Sequence, residues 1–287
     1  MNYSRYPWLE DLSSSSAREA IATAKQSYIK TGAATFPEFI SPSTLSSVIN
    51  DVTHLENDAY TTDDRHTPHQ LPIDTTSFPT SSVRNFKMRT QVASVAYDEL
   101  GAQSELTKLY QHPTLRQLVA EVTGKQELFL LDCPIGSCTV NVFREGYHHS
   151  FHFDESEFST TLMIQEAEQE GTGLFQYTNA LRENVLDDLA LDKVAAVIRE
   201  YHAGDDGQTH NVEWTFCETD EGVVVPELHT LEFRPGTLSI FSGARSLHRV
   251  TKVEGKKSRL VAVLTFASFP GFQNSKEVQK MFWGRCI

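Results

Sequence analysis

A change of apolar period near Gly124 constrains this chain more than any other feature. Before it, apolar residues recur every three or four positions, as one face of a helix requires. After it, they fall in short alternating runs, as a half-buried strand requires. A serine run, Ser13 to Ser16, precedes Ala17, Ala20, Ile21, Ala24 and Tyr28 at helical spacing, and Gly32 ends the segment. Ala33 to Phe36 is a short apolar stretch. Ser41-Pro42 then opens a second helix reaching about Leu55, with proline where its missing N–H is harmless. Gln103 to Tyr110 and Pro113 to Thr123 read as two more helices.

Asn57 to Ser82 is rich in Thr, Asp, Pro and His and has no period. A loop of that length is expected to be either a functional lid or a connector. Beyond Gly124, strands are expected at Glu127–Leu131, Thr139–Phe143, Ser159–Gln165, Gly173–Tyr177, Asn211–Phe216, Thr237–Phe241 and Ser258–Phe266. One helix interrupts them, Asn179 to Tyr201, with Ala203-Gly204 as its C-cap. The expected architecture is one α+β domain over residues 1–287. Residues 1–125 are mainly helical and pack on a jelly-roll, cupin-like core over 126–287, with an insertion at about 178–227.

The formal net charge of −13 argues against nucleic acid and against an anionic membrane surface, both of which need a basic face. The longest apolar run, Leu260 to Phe266, is too short to span a bilayer. Met1 to Glu10 does not read as a signal peptide. The four cysteines, Cys133, Cys138, Cys217 and Cys286, form no C-x-x-C pair and are expected as reduced thiols in a cytoplasmic protein.

Chemistry concentrates in two places. In Gly146-Tyr147-His148-His149-Ser150-Phe151-His152-Phe153-Asp154, an extended backbone turns His152 and Asp154 to one side. An imidazole and a carboxylate so placed make two-thirds of a facial site of two His and one carboxylate. Further on, the turn and strand Arg234-Pro235-Gly236-Thr237-Leu238 lead to His248, and Arg259 opens the run Leu260 to Phe266. His248 and Arg259 are expected on two strands of one hairpin, with Lys252 to Lys257 as its turn. An Arg among such neighbours needs an anion, either a ligand or a protein carboxylate.

H-x-D, a distant His after a P-G-x-L strand, and a later Arg together resemble the Fe(II)/2-oxoglutarate-dependent oxygenases. The resemblance implies a double-stranded β-helix, iron held by His152, Asp154 and His248, and Arg259 clamping the distal carboxylate of 2-oxoglutarate, with O2 as the other co-substrate. The segment Gly32 to Ile40 also looks like the family's entry segment. The long interval between His152 and His248 is assigned to the helical insertion. Asn141 to Gly146, followed by His149-x-x-His152-Phe153-Asp154-Glu155, is similar to the branch that halogenates or hydroxylates free amino acids. Halogenases of that branch lack the carboxylate ligand, so Asp154 implies hydroxylation. The same likeness implies that His149 and Glu155 hold the substrate, with Arg89 or Arg84 meeting its carboxylate. A free amino acid or small amine-bearing metabolite is the expected substrate, and a larger natural product the alternative. The protein is expected as a monomer or homodimer.

Other histidines compete. His229 is the alternative to His248, while His148, His202 and His210 are expected at the surface. Trp214 and Trp283 are expected in core or pocket. Two other classes stay open. A metal-dependent hydrolase or isomerase would use the same ligands but leave Arg259 without a role. A non-catalytic jelly-roll module would explain the strands alone.

Overall fold

Residues 1–185, 188–202, 214–219 and 222–287 are described in the computed structural model. The Ser14 hydroxyl accepts the Ala17 amide and opens α1 (Ser15–Thr31); Gly32, at φ 80°, closes it. A residue without Cβ takes that left-handed turn cheaply and sends the chain straight into β1 (Ala33–Phe36). Ser41 opens α2 (Pro42–Thr53) in the same way.

Two strands then appear that the sequence did not announce. β2 (Tyr60–His66) lies within the segment read as a loop, and β3 (Met88–Val95) pairs with it from Tyr60 opposite Ser94 to His66 opposite Met88. Their buried positions include Thr62, His66, Thr90 and Ser94, so no apolar alternation marks them. The short helices α3 (Glu105–Gln111) and α4 (Pro113–Thr123) follow as expected.

The second half supplies β4 (Phe129–Leu130), β5 (Cys138–Phe143), β6 (His149–His152), β7 (Ser159–Gln165) and β8 (Phe175–Thr178). After α5 (Leu191–Tyr201) come β9 (Leu228–Thr230), β10 (Leu238–Phe241), β11 (His248–Val250), β12 (Arg259–Leu264) and β13 (Phe266–Ala267). The chain closes with α6 (Lys276–Trp283). A large antiparallel sheet runs β1-β10-β7-β12-β5-β3-β2, and a small one runs β6-β11-β8-β9. This is the α+β jelly roll expected, with three of the large sheet's strands drawn from the helical first part.

The strand period decides which residues reach the space between the sheets. On β12, Leu260, Ala262 and Leu264 join the core shared with α1, α2 and α4, while Arg259, Val261 and Val263 line a cavity on the opposite face. On β5, Cys138, Val140 and Val142 face the helices, and Thr139, Asn141 and Phe143 face the cavity.

Two further expectations are corrected. His248 and Arg259 do not share a hairpin: β11 pairs with β6 and β8, whereas β12 pairs with β5 and β7 in the other sheet. The turn at Lys252 to Lys257 is a crossover between layers, so the two residues face each other across the cavity. The expected helix from Asn179 begins only at Leu191. Before it, the Asp188 carboxylate accepts the Glu183 and Ala190 amides, and Arg182 donates to the carbonyls of Val185, Asp188 and Ala244. Side chains there take the backbone groups a helix would use. Trp214 to Phe216 form no strand; the rest of that expected strand, the Ala203-Gly204 cap and His210 lie outside the described residues. Among the described residues, no helix is long and apolar enough to cross a membrane.

Candidate metal centre

The site begins with an irregularity in β6. His248 pairs with His152 and Val250 with His149, so four residues of β6 lie opposite three of β11. Such a bulge brings residues three apart onto one face. The His149 and His152 rings therefore stack, with centroids 3.7 Å apart and planes at 14°. His248 brings its ring to 4.1 Å from that of His152. Just past the strand, the Asp154 amide donates to Gly243 O over 3.0 Å. That bond holds the carboxylate against both imidazoles: Asp154 Oδ1 lies 3.5 Å from His152 Nε2 and 3.4 Å from His248 Nε2. A Cβ at Gly243 would collide with Asp154 Oδ2, so a glycine is needed there.

Hydrogen bonds fix how each group presents itself. His152 Nδ1 lies 2.8 Å from Ser150 O, and His248 Nδ1 lies 2.9 Å from Ser246 O. A carbonyl only accepts, so each Nδ1 carries a proton, and the Nε2 atoms that face Asp154 are the ones left to ligate a metal. Ser159 donates its hydroxyl to Asp154 Oδ2 and leaves Oδ1 to the imidazoles. Burial works against charge on Asp154, but His248 and His152 outweigh it and hold the carboxyl well below its usual range. Burial and the neighbouring His248 push His152 down. Three ligand atoms thus lie within 4.8 Å of one another. Two imidazole nitrogens and one carboxylate oxygen, each tied on its far side, fit a divalent first-row metal ion.

Arg259 closes the opposite end. It is 2% exposed, its guanidinium lies 5.3 Å from the Phe143 ring centroid, and its Nε is buried without a hydrogen-bond partner. Burial pushes it down to about 9. Among the described residues no carboxylate pairs with it; Glu166, which acts on it at longer range, pairs with Arg234 at 3.4 Å. A buried cation without a counter-charge is costly, which marks this end for an anionic ligand. Between the two ends lies a cavity of about 150 Å³, lined also by Asn141, Thr161, Phe241 and Val261.

The remaining sequence candidates divide. His149 lines the cavity, and its Nε2 is buried without a partner. Glu155 lines the cavity too, but its carboxylate accepts the Ser275 amide at 3.1 Å, at the start of α6. Arg89 is not brought in: it forms two 2.8 Å hydrogen bonds with Asp63 across the β2–β3 pair. Arg84 is buried over the Phe78 ring, away from the cavity lining. His229 lies on β9, two strands from His248, where its ring packs 5.6 Å from that of Tyr177, and it is not among the ligand atoms gathered within 4.8 Å. His148 and His202 are half-buried and not at the surface: His148 Nε2 meets Arg89 O at 3.0 Å, and His202 packs on Phe86 and Trp214.

Two contributors escaped sequence reading. His66 packs edge-on against His149 and His152, with centroids at 5.5 and 5.8 Å. Its ring nitrogens meet Thr67 O and Thr90 Oγ1, and burial pushes it down to about 3. Helix α6 walls the cavity with Val278, Phe282 and Trp283. Its signals, the Ser275 cap and Gly284 at φ 67°, were present in the sequence.

No family model matches this chain, and no curated protein matches it. Solved structures do. The non-heme alpha-ketoglutarate-dependent epimerase SnoN of nogalamycin biosynthesis superposes with a TM-score of 0.55 at 11% identity, over 87% of this chain and 84% of its own. AviO1 from Streptomyces viridochromogenes Tue57 gives 0.54 at 11% identity, over 87% and 95%. HygX from Streptomyces hygroscopicus, solved with nickel and 2-oxoglutarate bound, gives 0.51 at 12% identity, over 85% and 86%. At these identities the likeness establishes a shared fold.

Proposed function

We propose that this protein is an Fe(II)- and 2-oxoglutarate-dependent dioxygenase that hydroxylates an unactivated C–H bond of a small molecule. The observation that carries the reading is the pairing of the His152–Asp154–His248 cluster with an unmatched buried Arg259 across one cavity. HygX, of the same fold, was solved with nickel and 2-oxoglutarate bound, and SnoN is alpha-ketoglutarate-dependent. In this reading the bound iron and co-substrate supply oxygen activation coupled to decarboxylation of 2-oxoglutarate to succinate. His152 and His248 offer Nε2 and Asp154 offers Oδ1 to the metal. Arg259 pairs with the distal carboxylate of 2-oxoglutarate, with Phe143 packed on its guanidinium. Val261 and Phe241 keep the walls between them apolar and limit water. A hydrolase or isomerase would leave Arg259 without a partner, and a binding module would not need the fixed imidazole tautomers.

The substrate reading keeps an amine-bearing metabolite and a larger natural product in view. His149 Nε2 and Glu155 supply polar contacts at the cavity, whereas Arg89, held by Asp63, supplies none. We further propose that residues 1–287 work as one catalytic unit, monomeric or homodimeric, in the cytoplasm; the four cysteines are free thiols, in keeping with that compartment.

Anaerobic addition of Fe(II) and then 2-oxoglutarate tests the reading. A weak visible charge-transfer band is expected in the wild type and lost in His248→Ala and Asp154→Ala, together with succinate formation. Iron bound without a band, or a band that survives both substitutions, overturns it.

A further inference from the structure

A second cavity, of about 560 Å³, meets the first at Gln70, Asp154, Glu155, Ser156 and Val278. Its volume falls in the range of about 300–1,000 Å³ typical of pockets that enclose drug-sized ligands. It lies between residues 69–72 on one side and the segment from Phe266 to Val278 on the other. The lips are apolar and open: Leu71 is 48% exposed and Phe269 54%. Phe272 and Val278 continue the apolar lining toward Asp154.

One polar group in this wall is unmatched. His69 is 8% exposed, and its Nδ1 is buried without a hydrogen-bond partner. Its Nε2 lies 2.8 Å from Leu189 O, so the ring proton sits on Nε2 and Nδ1 carries a lone pair. Burial pushes this ring down to about 4, which keeps it neutral. The loop is pinned beside the metal cluster, because the Phe153 amide donates to Pro68 O and the His69 ring packs 5.3 Å from that of Phe153. The charged groups nearby favour a donor as well. Glu155 and Glu277 line the cavity, Glu157 there is paired with Lys125, and the Arg182 guanidinium is taken up by main-chain carbonyls.

We propose that this second cavity holds the body of the substrate, an apolar or aromatic small molecule whose hydroxyl or amine donates a hydrogen bond to His69 Nδ1. The inference rests on the dioxygenase reading for the identity of the occupant as substrate. It selects the larger of the two substrate classes above. A buried acceptor left unpaired costs energy, so the site discriminates against isosteres that lack the donor.

The test uses the full chain and matched probes: 2-naphthol, its methyl ether 2-methoxynaphthalene, and 2-naphthoate. Calorimetric titration is run with and without Fe(II) and 2-oxoglutarate under anaerobic conditions. We expect 2-naphthol to bind about tenfold more tightly than the ether, the worth of one buried hydrogen bond, and naphthoate to bind most weakly. His69→Phe should remove the preference for naphthol. Phe269→Asp, at an exposed lip and so harmless to folding, should weaken naphthol and ether alike. Equal affinities in the wild type, a preference that survives His69→Phe, naphthoate binding as well as naphthol, or no saturable binding overturns the proposal. Binding in this pattern from a chain that gives no charge-transfer band would sink the dioxygenase reading and leave the cavity assignment standing.

Discussion

The two ends of the inner cavity are built on opposite principles. At the His152–Asp154–His248 end, the far side of every ligating group is already satisfied: Ser150 O, Ser246 O and the Ser159 hydroxyl fix two tautomers and one carboxylate oxygen. At the Arg259 end, a full charge is buried with its Nε unbonded. The first end is preorganised by local hydrogen bonds. The second is held in place by strand register and the Phe143 ring, against an electrostatic penalty that a bound dianion would relieve. The comparison teaches that the fold sets the geometry of both ends, while local hydrogen bonds hold the side chains of one and leave the other's guanidinium to its ligand.

The strongest way to break this comparison is to remove the unmatched charge. In Arg259→Met, affinity for 2-oxoglutarate should fall by about 30-fold or more while Fe(II) still binds. The same variant without ligands should melt a few degrees higher, about the shift expected for relief of 1 kcal/mol or more. A melting point that drops sharply would show that Arg259 is already compensated. The preorganised end predicts a smaller effect. Ser159→Ala should weaken Fe(II) binding by about tenfold, as loss of an outer hydrogen bond to a ligand does. Unchanged iron affinity would mean that Asp154 is held by the Gly243 carbonyl without help.

A third effect, which appears only on acidification, concerns His66, which packs behind the cluster. Its folded value is about 3 against 6.5 for an ordinary imidazole. Between those values the unfolded chain binds the proton and the folded one does not. Stability contributed by neutral His66 is therefore present above pH 6.5 and is lost as the pH falls toward 3. His66→Gln should flatten the acid limb of the stability profile by up to about 1.4 kcal/mol per pH unit. Denaturant midpoints measured on the metal-free chain at several pH values check it, and an unchanged slope would place His66 in a hydrated setting.

Much of this was legible in the chain itself. The helices α1, α2 and α4 carry both a periodic apolar face and end signals at Ser14, Gly32, Ser41 and Gly124, so their limits could be read closely. The strands β5, β7, β10 and β12 were legible because helices cover one of their faces and supply an apolar half-pattern. β2 and β3 were not, because Thr62, His66, Thr90 and Ser94 are buried among Met88 and Val92 and break the apolar alternation. Arg89 illustrates the same limit for function. Its charge suggested a substrate contact, but whether it reaches the cavity depends on Asp63 standing beside it across the β2–β3 pair, which spacing cannot reveal.

What the sequence determined by itself was the inventory and its order: an H-x-D motif, a later His, then an Arg, on strands with one apolar face. Period-two geometry and hydrogen-bonding chemistry act over a few residues, so they can be read locally. What only the tertiary structure decided was where those pieces meet. The bulge in β6 stacks His149 on His152, the crossover after β11 sets Arg259 across the cavity from His248, and the docking of α6 closes the wall. Each of these depends on register between segments distant along the chain, and register is settled by the packing of two layers together, which no single stretch of sequence contains.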